Sequence, residues 1–490
     1  MGSKLAAWVY SILPERGALM AVALASFFIY HATTTVLAWR RLRHFPGPPL
    51  ASISNFWSFF TVAGGQCHVK IAREQKKYGK AMRIGPNAIM VYDPETLWHI
   101  NSARSLYSRS GWYESQRFHP EGESVFSEVS TVLHDKRKAK LVSGFAGKGS
   151  VNLEADVDSQ IAALVKYIRT KALYGQADRL AFSKVLRWFQ LDLITLIGLV
   201  PLIHSISVVP FMRKITISKL FVYLAWPKVT DKEGLGRSIS QMRSIVKHQF
   251  ENITENKAGH QHGNILSEWI KHGHNIKQCE LDLAILMPAG TETSITTVRG
   301  TLLHILSSPA VYHKLKQEIS EGIKAGRISQ PITQDQAKEM PYLQAVIREG
   351  MRIVPPVING FAKKVPPSGD TICGKFVPGG TEVHMNFIAM LMNTEVFGAD
   401  AEVFRPERFL ECDEKQRNYM LKTIDLSFGY GRWLCLGKPL AILELNKIYV
   451  ELLRVFDFQI TQAEKPWKRR GYSTSIIDDF ELRVRENPLD

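Results

Sequence analysis

The chain has 490 residues, 45% of them hydrophobic, enough to bury a large core as one big domain or two ordinary ones, and this excludes disorder and low complexity. Lys and Arg number 62 against 46 Asp and Glu, a formal net charge of +16, but they are scattered and form no basic helix, so an acidic partner protein or an anionic membrane suits the charge as well as nucleic acid does, and no nucleic-acid partner is expected. The five cysteines, at 67, 279, 373, 412 and 435, are odd in number and widely spaced, which fits a reducing compartment and excludes a disulfide framework.

From Gly17 to Trp39 there is no Lys, Arg, Asp or Glu, and the run is long enough for one membrane-spanning helix. Val36-Leu37-Ala38 would suit a cleaved signal peptide. Arg40, Arg41 and Arg43 outnumber the basic residues on the other flank, which favours an uncleaved anchor with the long C-terminal part in the cytosol. Residues 1–39 are therefore expected to be an anchor. The stiff Phe45-Pro46-Gly47-Pro48-Pro49 falls in a basic, proline-rich hinge over 40–60, and 61–490 form the catalytic domain.

Cys67 to Tyr78 predicts a helix, Met82 to Val91 a hairpin turning at Gly85-Pro86-Asn87, and Pro94 the start of another helix. Ser102 to Thr131 holds Tyr107, Trp112, Tyr113, Phe118 and Phe126 with little periodicity and reads as a loop. His134 to Lys140 is a basic helical turn. Asn152 to Lys171 and Leu180 to Leu199 repeat apolar residues every three or four positions, as helices do. A nearly uncharged tract then runs to Trp226-Pro227.

Leu281 to Ser307 is the longest apolar-periodic helix, and Ala289-Gly290-Thr291-Glu292-Thr293-Ser294 interrupts its middle. Gly costs about 1 kcal/mol against Ala in a helix, and Pro288 should add a kink, so a costly sequence in a core helix points to function. A Thr that merely bonds its own helix is the plain alternative. Tyr342 to Ile353 forms a further helix with Glu349 and Arg352 three apart on one face, followed by Phe404-Arg405-Pro406-Glu407-Arg408-Phe409.

The last motif is Leu426 to Ala441, with a single thiol, Cys435, among Gly429, Gly431 and Gly437. Glycines let the backbone turn sharply around the sulfur. No second Cys or His follows at zinc or redox spacing, so the loop offers one sulfur for one axial position. Pro439 and the apolar run behind it predict a helix whose N-terminus favours a thiolate.

Phe428-Gly429-x-Gly431-x-x-x-Cys435-x-Gly437 resembles the haem-binding loop of cytochrome P450. The resemblance covers nearly the whole chain after the anchor. The wording of Tyr107 to Tyr113, Asn152-Leu153-Glu154 and Thr371 to Gly374 is similar to the pisatin demethylase-like fungal members. The fold it implies is mainly α with small β-sheets, a cytochrome P450 fold behind an N-terminal transmembrane helix. The cofactor implied is haem b with Cys435 as axial thiolate to iron. The same resemblance gives Ala289 and Gly290 a place over the haem, Thr293 a hydrogen bond to dioxygen, and Glu292 the supply of protons. Glu349, Arg352 and Arg408 become a structural core network. Propionate contacts fall to His134 or Lys138, with Lys363 where the family usually has Arg. Two residues before the thiol most members have Arg or His; this chain has Trp433, with Arg432 next door.

The tract after Leu199 is short of a helix that usually roofs the site, while the loop 107–126 and Val357 to Phe361 would line the pocket. The activity implied is hydroxylation of a small apolar substrate, a terpenoid or polyketide of fungal secondary metabolism, at the endoplasmic reticulum membrane. Dioxygen would be one reactant, with electrons from NADPH through NADPH-cytochrome P450 reductase and cytochrome b5 as a second donor. Two rivals are a P450-fold isomerase or dehydratase that does not use dioxygen, and a non-catalytic membrane haem protein.

Overall fold

A computed structural model describes residues 18, 21–22, 25–26, 28–30, 32–117, 119, 121–146, 152–173, 179–189, 209–210, 234–254 and 264–489. Among its helices are α1 Cys67–Tyr78, α2 Pro94–Asn101, α3 Thr131–Phe145, α4 Leu153–Ile168, α5 Phe182–Phe189, α6 Gly234–Thr254, α7 Ile265–Lys271, α8 Ile276–Ser307, α9 Pro309–Lys324, α10 Pro341–Ile353, α11 Glu414–Asp425 and α12 Lys438–Leu453. They start where local chemistry dictates. Asp93 caps α2 ahead of Pro94, Asn152 caps α4, and Asn275 caps α8 by accepting from Gln278, so α8 begins five residues before its apolar periodicity does. Pro288 lies inside α8, which is assigned as helix from Ile276 to Ser307 without a break.

The strands are short: β1 Ala81–Gly85, β2 Ala88–Val91, β3 Ser108–Arg109, β4 Asn359–Lys364, β5 Asp370–Ile372, β6 Lys375–Val377, β7 Glu382–Asn386, β8 Phe456–Ile460, β9 Lys468–Gly471, β10 Ser475–Asp478 and β11 Leu482–Glu486. Five of them form one sheet in the order β1-β2-β7-β4-β3, in which only β2 and β7 run parallel. The expected hairpin is β1–β2. Its ladder slips at Gly85, where the Gly-Pro-Asn turn begins. A second irregularity falls between Gly360 and Lys363 in β4, where Gly360 has φ +112° and Phe361 φ +52°. A bulky residue at positive φ is strained, and such strain concentrates at functional sites.

The main core gathers Leu302, Leu315, Leu343, Val346, Phe387, Ile448, Leu452 and Phe456, so α8, α9, α10 and α12 share one apolar interior with the sheet. Glu349, Arg352 and Arg408 are buried inside it. Arg352 donates to Glu349 at 2.8 and 2.7 Å, Arg408 donates to the same carboxylate at 3.1 and 3.2 Å, and the backbone N–H of Arg405 adds a bond at 2.8 Å. The pair three residues apart in sequence and the residue far downstream thus become one charge network, stitched by Arg352 to the carbonyls of Leu391 and Val403 at 2.9 and 3.1 Å.

Among the described residues no helix is long and apolar enough to cross a membrane. Most of the N-terminal half of the expected anchor lies outside those residues; 28–30 and 32–42 are helical and carry exposed Phe28, Ile29, Tyr30, Val36 and Leu37. The end of that helix is fixed to the sheet by buried Arg83, which donates to the carbonyls of Ala38, Trp39 and Pro86 at 3.2, 3.2 and 2.7 Å. The tract from Leu199 to Trp226, Val209 and Pro210 apart, lies outside the described residues, as does Phe118.

Candidate functional site

The loop 429–437 is shaped by its glycines. Gly429 has φ +81°, and a Cβ there would stand 2.4 Å from the carbonyl oxygen of Trp433, while at Gly431, φ +58°, it would stand 2.8 Å from that of Asn101. The N–H of Cys435 donates to the carbonyl of Phe428 at 2.7 Å, closing the turn. Gly437 is the N-cap residue of α12, and the backbone N–H groups of Gly437 and Lys438 approach the sulfur. Burial raises the Cys435 thiol pKa, against which those N–H groups and Lys138 pull it down. Its side chain is nevertheless open to solvent. A group both crowded by protein and open to water lies on the floor of a recess.

A second opening appears in α8. Ala289 and Gly290 are exposed in the middle of a helix that is buried on both sides of them, and a Cβ on Gly290 would meet nothing within 4 Å. Thr293, also only partly buried, donates its hydroxyl to the carbonyl of Ala289 at 2.7 Å, so the self-bonded form is the one observed. Glu292 stands 4.0 Å from Arg299 on the same helix.

The electrostatics of the site centre on Trp433. Lys363 Nζ lies 3.5 Å from the centre of its ring, the Arg109 guanidinium 4.7 Å, and the His134 ring 4.7 Å. Arg109 and Lys363 are directly opposite one another across β3 and β4, a placement of like charges that destabilises a sheet. Both are buried, and Lys363 Nζ and Arg109 Nε have no hydrogen-bond partner among the described residues. Burial drives the Lys363 pKa far down, with Arg109, Arg432 and Lys138 adding repulsion. Burial likewise lowers Arg109 to about 10 and, helped by Arg109, Lys138 to about 8.

His134 Nδ1 lies 2.8 Å from Asp135 Oδ1, within ion-pair range, yet burial and Arg109 lower its pKa to about 3. The bond is therefore an ordinary one donated by a neutral ring, because a buried imidazolium beside two cations would be costlier than this single carboxylate offsets.

Lys138 and Arg432 have partners within the protein. Lys138 donates to the carbonyls of Arg432 and Leu434 at 2.7 and 2.6 Å, bracing the thiol loop, and Arg432 pairs with Asp135 at 3.0 Å and donates to Ala103 at 2.6 Å. Arg109 was not singled out by sequence. Its only sequence signal is its place in Tyr107 to Tyr113, whereas its position opposite Lys363 is a matter of strand pairing. The aromatics of that loop are buried: Trp112 and Tyr113 pack on Phe126 and on strained Phe361 at centroid distances of 5.6 to 6.4 Å.

A haem fits these residues. Lys363 Nζ, without a partner among the described residues, and Arg109, whose Nη1 donates to the carbonyls of Val125, Phe126 and Glu128 while its Nε is unbonded, suit two carboxylates; the exposed thiol suits an iron, and Gly290 opens onto free space on α8.

The fold and this donor set place the chain in the cytochrome P450 family, thiolate-ligated haem monooxygenases supplied with electrons from NADPH through a reductase, and a family profile for cytochrome P450 matches residues 265–477. The family resemblance is thereby borne out. Among its relatives, the chain is 36% identical to cytochrome P450 monooxygenase ABA1 of Pyricularia oryzae, over 95% of this chain and 96% of that one. It is 34% identical to monooxygenase aba1 of Botryotinia fuckeliana over 91% and 92%, and 32% identical to abl1 of Leptosphaeria maculans over 93% and 85%.

Proposed function

We propose that this monooxygenase hydroxylates a small apolar substrate, a terpenoid or polyketide of fungal secondary metabolism, while anchored by residues 1–39 in the endoplasmic reticulum membrane and served by NADPH-cytochrome P450 reductase. What carries the reading is the lone Cys435 thiol in a glycine-shaped loop whose Trp433 ring touches the buried Lys363 and Arg109. The fungal relatives and the aromatic wall of Trp112, Tyr113, Phe126 and Phe361 support an apolar substrate.

When bound, haem supplies the iron at which dioxygen is reduced and split. Arg109 and Lys363 would hold its carboxylates, and Cys435 would hold its iron. Thr293 keeps its hydroxyl proton on the Ala289 carbonyl and, once that bond opens, presents it to the pocket. Glu292 next to it takes up a proton from solvent and passes it on, with Arg299 4.0 Å away to hold the side chain in place. Pocket aromatics exclude water and orient the substrate.

The test begins with the carbon monoxide difference spectrum of the reduced protein, which reports the thiolate ligand; Cys435→Ser should abolish it. Thr293→Ala and Glu292→Gln should keep the spectrum and raise the NADPH consumed per product formed. Unchanged coupling in both would refute the proton roles. Labelled dioxygen that leaves no label in product, with candidate terpenoids and polyketides as substrates, would favour isomerase or dehydratase chemistry.

A further inference from the structure

Lys363 is a basic group that takes no part in the proton steps of the reaction. Its amine is wholly buried, has no acceptor among the described residues, and rests 3.5 Å from the centre of the Trp433 ring and 5.4 Å from that of Tyr113. Around it stand Arg109 on β3, His134, Asp135 and Lys138 on α3, and Arg432 on the thiol loop; on β7, His384 and Glu382 pair with each other at 3.6 Å. Of the carboxylates near these cations, Asp135 is bonded to Arg432 and His134, and Glu128, on the Arg109 side, pairs with Arg137 at 3.5 Å. An ammonium here would face like charge directly across the sheet, with only aromatic faces to offset its desolvation.

We propose that haem insertion protonates Lys363: the amine rests uncharged on the Trp433 ring and takes one proton from solvent when a propionate carboxylate arrives. This rests on the haem site described above. The step forms one N–H bond, with the proton drawn from water, and nothing is oxidised or reduced. Trp433 is what makes Lys workable at this position. Its flat face accepts an N–H of the neutral amine and would support the ammonium formed on loading. Haem retention therefore depends on pH through a side chain other than the iron ligand.

The experiment compares haem with its dimethyl ester, which has the same iron and ring but no carboxylates. Full-length protein produced without haem is loaded with either at pH 8 in weak buffer, and proton exchange is read with an indicator dye. The proton lost by the Cys435 thiol is common to both ligands and cancels. Haem should take up one proton more than the ester, and its affinity relative to the ester should fall up to tenfold per pH unit. Lys363→Arg, charged throughout, should abolish the difference.

Lys138, at about 8, is a neighbouring amine that titrates in this range, so Lys138→Arg should retain the difference. That variant keeps the test decisive even where Lys363→Arg loads poorly. Equal proton counts for haem and ester in the wild type overturn the proposal, as does a difference that survives Lys363→Arg or vanishes in Lys138→Arg. A loaded protein without the thiolate carbon monoxide spectrum would instead show that the haem-thiolate reading itself is wrong, and the proposal would fall with it.

Discussion

Replacing Glu349 by Gln tests how the core is held together. The carboxylate accepts two hydrogen bonds from Arg352, a forked one from Arg408 and one from the Arg405 backbone, all at 2.7 to 3.2 Å. Glutamine has the same shape but no charge, and its NH2 must face a guanidinium. Arg352 is 0% exposed and Arg408 3%, so neither can turn to water. The carboxylate left nearby is Asp400, 2.9 Å from Arg408, and it already pairs with Arg405. Breaking one partner out of a buried ionic group costs about 3 to 5 kcal/mol. At about 1.4 kcal/mol per factor of ten, the folded-to-unfolded ratio should fall by roughly two to three and a half orders of magnitude. Urea unfolding of the holoprotein, followed by far-ultraviolet circular dichroism and by the haem absorbance, measures this. A midpoint displacement worth less than about 0.5 kcal/mol at unchanged slope would refute the argument that this carboxylate neutralises both arginines.

Gly429→Ala places a Cβ 2.4 Å from the Trp433 carbonyl at φ +81°, so the purified protein should hold little haem while its circular dichroism stays helical. Gly290→Ala should do the reverse: its Cβ enters open space and helix propensity gains about 1 kcal/mol, so thermal stability should hold or rise while the haem absorbance and product ratio change. Asp282 accepts from the backbone N–H of Val125 at 2.6 Å and from His274 and Gln278 at 3.2 and 3.1 Å. Asp282→Ala leaves buried donors unmet at about 1 to 3 kcal/mol each, and hydrogen exchange should rise over 121–128 first. Burial raises Glu444 from an ordinary carboxyl to about 7. Because the folded protein then keeps a proton that the unfolded chain releases, stability is full below pH 4.5 and falls as pH rises to 7, by at most about 1.4 kcal/mol per unit. Glu444→Gln should flatten that slope in urea unfolding between pH 5 and 8.

Much of this molecule could be read from local chemistry. The thiol loop and its helix, the α8 interruption and the Glu349–Arg352 spacing lie within single stretches of chain, where glycine, proline and apolar period speak for themselves. Boundaries moved where a cap outside the apolar run, such as Asn275, added a turn. Arg109 was missed because its meaning depends on Lys363, which lies opposite it only once β3 pairs with β4. For Lys138 and Arg432 the charge is legible in sequence but the protein partners are not: backbone carbonyls and Asp135 bond them only once the chain is folded.

The sequence alone determined that one thiol stands at a helix start among glycines, and that a polar break crosses the longest apolar helix, because both depend on neighbours in the chain. The folded chain decided which cations lose their water and their partners. Desolvation and like-charge repulsion act through space, across strands that residues far apart in sequence bring together, and no stretch of the chain carries that information by itself.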